Sequence, residues 1–208
     1  MANEKITEMD PAATPLDHTE IIELVQNGDN VQAPISEIGR NLQYVTFNTA
    51  PTPGAHETGK LYWDADAGTM AFMTDVTDVV LQVGQEIYVK VRNNTGSLIA
   101  NGKPVRITGA IGNRPTIALA QADTAQNARV IGVATEDIAN NADGYITAFG
   151  LVRDFDTSSF SVGDDLYLSQ TVAGEFVNVE PGSGIVVICG VVIVSNATNG
   201  IFLARIIF

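Results

Sequence analysis

Apolar and polar residues alternate in short runs along most of the chain, and turn residues interrupt them roughly every 8–15 positions, the spacing of an antiparallel sandwich or barrel. From Gly84 onward the pattern is insistently β. Ile87–Val91, Pro104–Ile107, Thr116–Leu119, Val130–Ala134, Tyr145–Phe149 and Leu151–Val152 read as strands, followed by Leu166–Leu168, Phe176–Val179, Ile185–Val194 and Ile201–Phe208. Asn93-Asn94-Thr95-Gly96, Asn101-Gly102, Gly112-Asn113 and Asp143-Gly144 supply turns. One short helix is expected over Ala120 to Ala128, where small residues replace the alternation. The predicted fold class is all-β: an antiparallel β-sandwich or barrel-like C-terminal domain over 85–208.

Two smaller regions precede it. Residues 1–45 read as an extended arm, because Pro11, Pro15 and Pro34 interrupt any long helix. Within the arm Ile21-Ile22-Glu23-Leu24-Val25 is a β-type run stopped by Gln26-Asn27-Gly28-Asp29-Asn30. Val31 to Ile35 returns as the second strand of a hairpin, and Ser36–Gly39 forms a helical turn after it. An isolated hairpin is barely stable in water, so the arm needs a surface to pack on, its own body or another chain. Residues 46–84 hold a linker rich in Thr, Pro, Ala and Gly, then a small aromatic hairpin. Its strands are Lys60-Leu61-Tyr62-Trp63-Asp64 and Met70-Ala71-Phe72-Met73, and Val79–Leu81 adds a third.

Charge narrows the function classes. The 208 residues carry 11 Lys plus Arg against 24 Asp plus Glu, a formal net charge of −13. Phosphate backbones need clustered cations, so nucleic acid is not an expected partner. Anionic membranes repel such a surface, and the longest apolar block, Ile185 to Val194, is far short of the roughly 20 residues a crossing needs. No membrane insertion is expected. Met1–Lys5 lacks the start of a secretion signal. The single cysteine, Cys189, permits neither an intrachain disulfide nor a cysteine-based zinc site, and its apolar neighbours mark it as a small core side chain.

Candidate chemistry is sparse. Asp64-Ala65-Asp66-Ala67-Gly68 opens like a calcium loop but lacks the later oxygen ligands, so a hairpin turn capped by Asp side chains is the favoured reading. Asp154 and Asp156 would share a strand face, as the paired carboxylates of a glycosidase must. A solvated strand end followed by a turn is the favoured alternative. His18 and His56 are the only histidines, no Gly-x-Ser-x-Gly elbow occurs, and Gly182-Ser183-Gly184 lacks a following helix or lysine to complete an anion site. The sequons at Asn93 and Asn196 read as turns. No enzyme and no cofactor are expected. Tyr62, Trp63 and Phe72 are candidates for inter-subunit packing, and Ile21, Ile22, Leu24 and Val25 for anchoring the arm.

Two stretches resemble a known group of proteins. Lys5-Ile6-Thr7-Glu8-Met9-Asp10-Pro11, followed by Leu16-Asp17-His18-Thr19-Glu20 and Val25-Gln26-Asn27-Gly28, resembles the N-terminal segment of bacteriophage fibre and appendage proteins. Met9-Asp10 and His18 depart from that pattern, where a leucine and a glycine are usual. Gly59–Asp64, Val83–Glu86, Gly102–Val105, Val130–Ala134, Gly150–Val152, Val162–Leu168 and Ile188–Val192 are together similar to β-domains of phage tail-fibre, head-fibre and capsid-decoration proteins. The resemblance implies a virion structural protein made in the bacterial host cytoplasm. It implies a homotrimer whose N-terminal arm attaches to capsid or tail proteins, and it carries no catalytic residues. The alternatives are a cement protein lying on the shell and a receptor module binding host-surface glycan through Trp63 or Tyr88. An enzyme using Asp154 and Asp156 ranks last.

Overall fold

The computed structural model describes residues 21–26, 29–34 and 45–207. The chain divides into two compact units, Met1–Phe47 and Asn48–Phe208. In the first, β1 (Ile21–Gln26) and β2 (Asp29–Pro34) pair antiparallel with Gln26 opposite Asp29, the hairpin expected around Asn27-Gly28. The helical turn expected at Ser36–Gly39 and the opening segment Lys5–Glu20 lie outside the described residues.

The second unit contains two sheets. The smaller joins β3 (Leu61–Asp64), β4 (Thr69–Met73) and β5 (Val80–Gln82) in antiparallel order. Its first turn forms as expected: Asp64 Oδ1 accepts the amides of Asp66 and Ala67, each at 3.0 Å. Those hydrogen bonds, that of Ala67 foremost, hold the Asp64 carboxyl below its usual range.

The larger sheet has nine strands: β6 (Ile87–Asn93), β7 (Pro104–Ile111), β8 (Arg114–Leu119), β9 (Val130–Ala134), β10 (Asp143–Phe155), β11 (Asp165–Leu168), β12 (Phe176–Val177), β13 (Ile188–Val194) and β14 (Gly200–Ile207). Its order is β12-β11-β13-β14-β10-β6-β8-β7-β9, and β9 pairs back onto β10. The strands β6, β8, β7, β9 and β10 therefore close a five-membered ring, while β14, β13, β11 and β12 branch from the far half of β10.

The described residues are all-β, as expected, and the ring adds one feature that an antiparallel pattern does not give. The sheet is mixed: β6 and β8 run parallel, with Arg92 opposite Thr116 and Asn93 opposite Ile117. Antiparallel neighbours alternate in direction, so a ring with an odd number of strands must contain a parallel pair. The short helix expected at Ala120–Ala128 is also absent; the segment is a chain of turns. Its alanines serve a different purpose, because Ala120, Ala122 and Ala128 are buried with Val130, Leu168, Val187 and Cys189. Small side chains let that loop lie close against the sheet. Cys189 is thus the core residue expected, its thiol pushed up to about 12 by burial.

Two further clusters complete the core. Val91, Val105, Ile117, Ala134 and Ile146 fill the ring together with Ile99 and Ile138, whose loops pair through reciprocal amide bonds of 3.0 and 2.7 Å. Asn93 is buried at this junction; its Nδ2 donates to Ile138 O and Ser97 O. Val133, Val152, Leu166, Val192, Phe202 and Ala204 form the third cluster, between the ring wall and the branch.

β10 spans both parts. Its first half pairs with β6 and its second with β14, so the runs at Tyr145–Phe149 and Leu151–Val152 are one strand. Gly150 makes this continuity possible at φ 127°, where a Cβ would lie 2.6 Å from Glu86 Cγ. A bulge between Arg153 and Phe155 leaves Asp154 at φ 61°.

Candidate functional site

The small sheet is tied to the ring by polar contacts along β6 and β10. Tyr88 Oη donates to Val80 O at 3.2 Å, Lys90 pairs with Asp75, and Tyr145 Oη donates to Asp75 Oδ1 at 2.7 Å. The Lys90 and Tyr145 hydrogen bonds hold Asp75 below the usual carboxylate range, and burial followed by Asp75 pushes Tyr145 up to about 12. Glu86, with its side chain 1% exposed, lies behind this seam. Its Oε1 accepts from Arg153 Nη1 at 2.7 Å and its Oε2 from the Gln82 amide at 3.1 Å. A buried carboxylate needs such partners, since desolvation otherwise costs several kcal/mol.

A cleft of about 330 Å³ opens beside the seam. Asp78 enters it from the small sheet, Tyr88 from β6, Arg153 and Asp154 from β10, and Asn101 and Glu136 from the loops over the ring. Asp78 and Asp154 hold left-handed φ angles of 66° and 61°, and the described residues contain one other such non-glycine, Asn141. Side chains with a Cβ adopt that region at a cost, which Asp and Asn bear best. Asn101 Nδ2 donates to Arg153 O and Asp154 O at 2.9 and 3.2 Å, fixing the bulge. Glu136 Oε1 accepts the Tyr145 amide at 3.0 Å, and burial raises its carboxyl above the usual range.

A second feature is apolar. Ile87 and Phe149 sit opposite each other across β6 and β10, 58% and 45% exposed, and Val89 follows on the same face at 36%. Phe149 is opposite Arg205 and Leu151 opposite Leu203, so the face continues over β14, where Ile207 is exposed and Leu203 half-buried. Gly150, Val152, Phe202 and Ala204 point the other way, into the core. Over the second half of β10 and β14 one side is packed and the other holds Phe149 and Ile207 in solvent. Ile87 and Val89 are instead the exposed end of the β6 face whose Val91 is buried in the ring, with Val89 opposite the buried Ile146.

The candidates from sequence fall in different places. Trp63 is opposite Met70 and Phe72 opposite Leu61, which puts Trp63 and Phe72 on one face of the small sheet. Tyr62 points to the opposite face, beside Ala71. Trp63 and Tyr62 are half-buried and Phe72 is exposed. Ile21, Ile22, Leu24 and Val25 lie on β1 opposite Pro34, Ala33, Val31 and Asn30; their side chains lie outside the described residues.

Asp154 and Asp156 line different clefts. The bulge breaks the alternation that would align them: Asp154 lines the Tyr88 cleft, and Asp156 lines another beside Lys103 and Phe160. Asp156 Oδ1 accepts from the Ser158 amide and hydroxyl, the strand-end turn that was favoured. Asn196 likewise caps its turn, accepting from the Thr198 and Asn199 amides. Sequence reading missed Glu86 and Arg153, which stand 67 residues apart with no motif linking them. Among the described residues no group of three acidic, histidine or cysteine side chains is placed to hold a metal ion, and no helix is long and apolar enough to cross a membrane. No protein-family model matches this chain, and no curated protein matches it.

Proposed function

We propose that this protein is a structural component of a bacteriophage virion: a trimeric fibre or decoration subunit attached to capsid or tail through its N-terminal arm. The observation that carries the reading is the exposed apolar pair of Ile87 and Phe149, opposite each other across β6 and β10, with Val89 beside them. Contiguous exposed apolar residues on a folded domain mark an interaction surface. A second copy covering that face would remove it from water, and a strongly acidic chain gains solubility from charge elsewhere. The phage-like order of motifs from Gly59 to Val192 supplies the virion context. The role is assembly and display, with no bond made or broken.

The arm assignment has a direct test. Deleting residues 1–40 is expected to leave the thermal unfolding of the 48–208 unit unchanged and to abolish incorporation into particles, measured by immunoblot of purified virions. Incorporation of the truncated protein at the full-length level would discard the attachment role.

A further inference from the structure

We propose that the second half of β7, Ile107–Ile111, accepts an added β-strand from a partner protein, an extended segment that carries carboxylates. On one side β8 pairs with β7 along its length, from Val105 opposite Leu119 to Ile111 opposite Arg114. On the other side β9 pairs with Pro104, Val105 and Arg106 and goes no further. Among the described residues no other backbone group bonds to Ile107–Ile111 from that side. The open edge amounts to roughly 17 Å of strand. All five residues are exposed, Ile107 at 50% and Ile111 at 48%. Folded proteins commonly guard such edges with charged side chains or proline, and Ile-Thr-Gly-Ala-Ile contains neither. A bulge at Thr108 bends the start of the edge, and Gly109–Ile111 pair regularly with β8 beyond it.

Charge selects the partner. The described residues hold nine Lys and Arg, and seven of them form ion pairs. Among the described residues the two without a carboxylate partner are Arg106 and Arg129. They meet at one place. Arg129 precedes Val130, and Val130 stands opposite Arg106, the last β7 residue that β9 covers. Arg106 Nε is buried with no hydrogen-bond partner, and a buried donor in that state costs stability. In a chain of 24 acids and 11 bases, the two unpaired guanidiniums thus stand together at the root of the open edge. A strand laid along Ile107–Ile111 would draw its backbone hydrogen bonds from the edge and apolar contact from the two isoleucines. A carboxylate on it would give Arg106 the charged acceptor it lacks, whereas a basic strand would meet two like charges. The site is complete in a single copy of the chain, so it stands whether or not copies associate.

The test is fluorescence anisotropy on the full chain with a labelled peptide of about nine residues, valine alternating with glutamate, long enough to span the edge. This peptide is expected to bind, and its counterpart with lysine for glutamate is not. Arg106→Gln combined with Arg129→Gln is expected to weaken binding at least about tenfold, as loss of charged hydrogen bonds does. The melting temperature should hold, because neither side chain has an ion pair to lose. N-methylation gives a second reading that leaves the protein untouched. Methylating one alternate set of peptide amides is expected to abolish binding, and methylating the other set to be tolerated, since a strand pairs through one edge at a time. Silence from the acidic peptide overturns the proposal. So does binding that survives the double variant undiminished, binding indifferent to both methylated sets, or a response to the lysine peptide alone.

Discussion

Phe202→Ala is expected to destabilise the second unit by about 3–5 kcal/mol, the range for deleting a fully buried aromatic side chain. Phe202 is 0% exposed and lies on β14, the strand that joins β10 to β13. Its ring meets Phe155 and Phe176 edge-on at centroid distances of 5.3 and 5.5 Å, so its removal strips both neighbours of a partner. Val152, Leu166 and Val192 around it belong to paired strands and cannot collapse into the cavity. Total stability of a domain is commonly about 5–15 kcal/mol, so the variant sits near the edge of folding. Urea unfolding followed by circular dichroism gives the value. Phe202→Leu, which keeps most of the volume, is expected to lose less than the alanine variant. A loss under about 1 kcal/mol for Phe202→Ala would mean that this cluster does not organise the branch.

Ile87→Asp combined with Phe149→Asp is expected to break the assembly and leave the subunit folded. Both side chains are exposed in the single chain, where surface substitutions usually change stability within about 0.5 kcal/mol. In an assembled trimer they would be buried, and each would contribute roughly 1.5–3 kcal/mol of apolar burial. The new carboxylates add charge to a chain already at −13. Association should weaken by more than about a hundredfold at each interface. Sedimentation velocity of the variant beside the parent reads this directly, with the melting curve as the control for folding. A variant that unfolds would show that the two residues serve the subunit itself.

How much of this was legible in the chain depends on sequence separation. Local signals worked: the Asp64 turn, the pairing of β1 with β2 and the buried role of Cys189 rest on residues that meet their partners nearby or sit among apolar neighbours. The parallel pair of β6 and β8 left no local trace, because ring closure is a property of five strands together. Gly150 reads as a strand break, and only the approach of Glu86 shows why the strand runs through it. Ala120, Ala122 and Ala128 favour a helix by propensity, yet tertiary burial claims them as small packing residues. The cleft was half visible. The sequence points to Asp154 and Tyr88 separately and aligns Asp154 with Asp156, whereas the residues that line its cleft come from positions 78, 101 and 136. A bulge inverts the face of every residue beyond it, and alternation alone does not reveal one.

The account rests on the apolar face being closed by other copies of the chain. The most direct measurement is the solution mass of the full-length protein by sedimentation equilibrium across a range of concentrations. The predicted result is a single species of three times the 22.0 kDa chain mass, persisting on dilution. A stable 22.0 kDa monomer at every concentration, with Ile87 and Phe149 open to water, would contradict it.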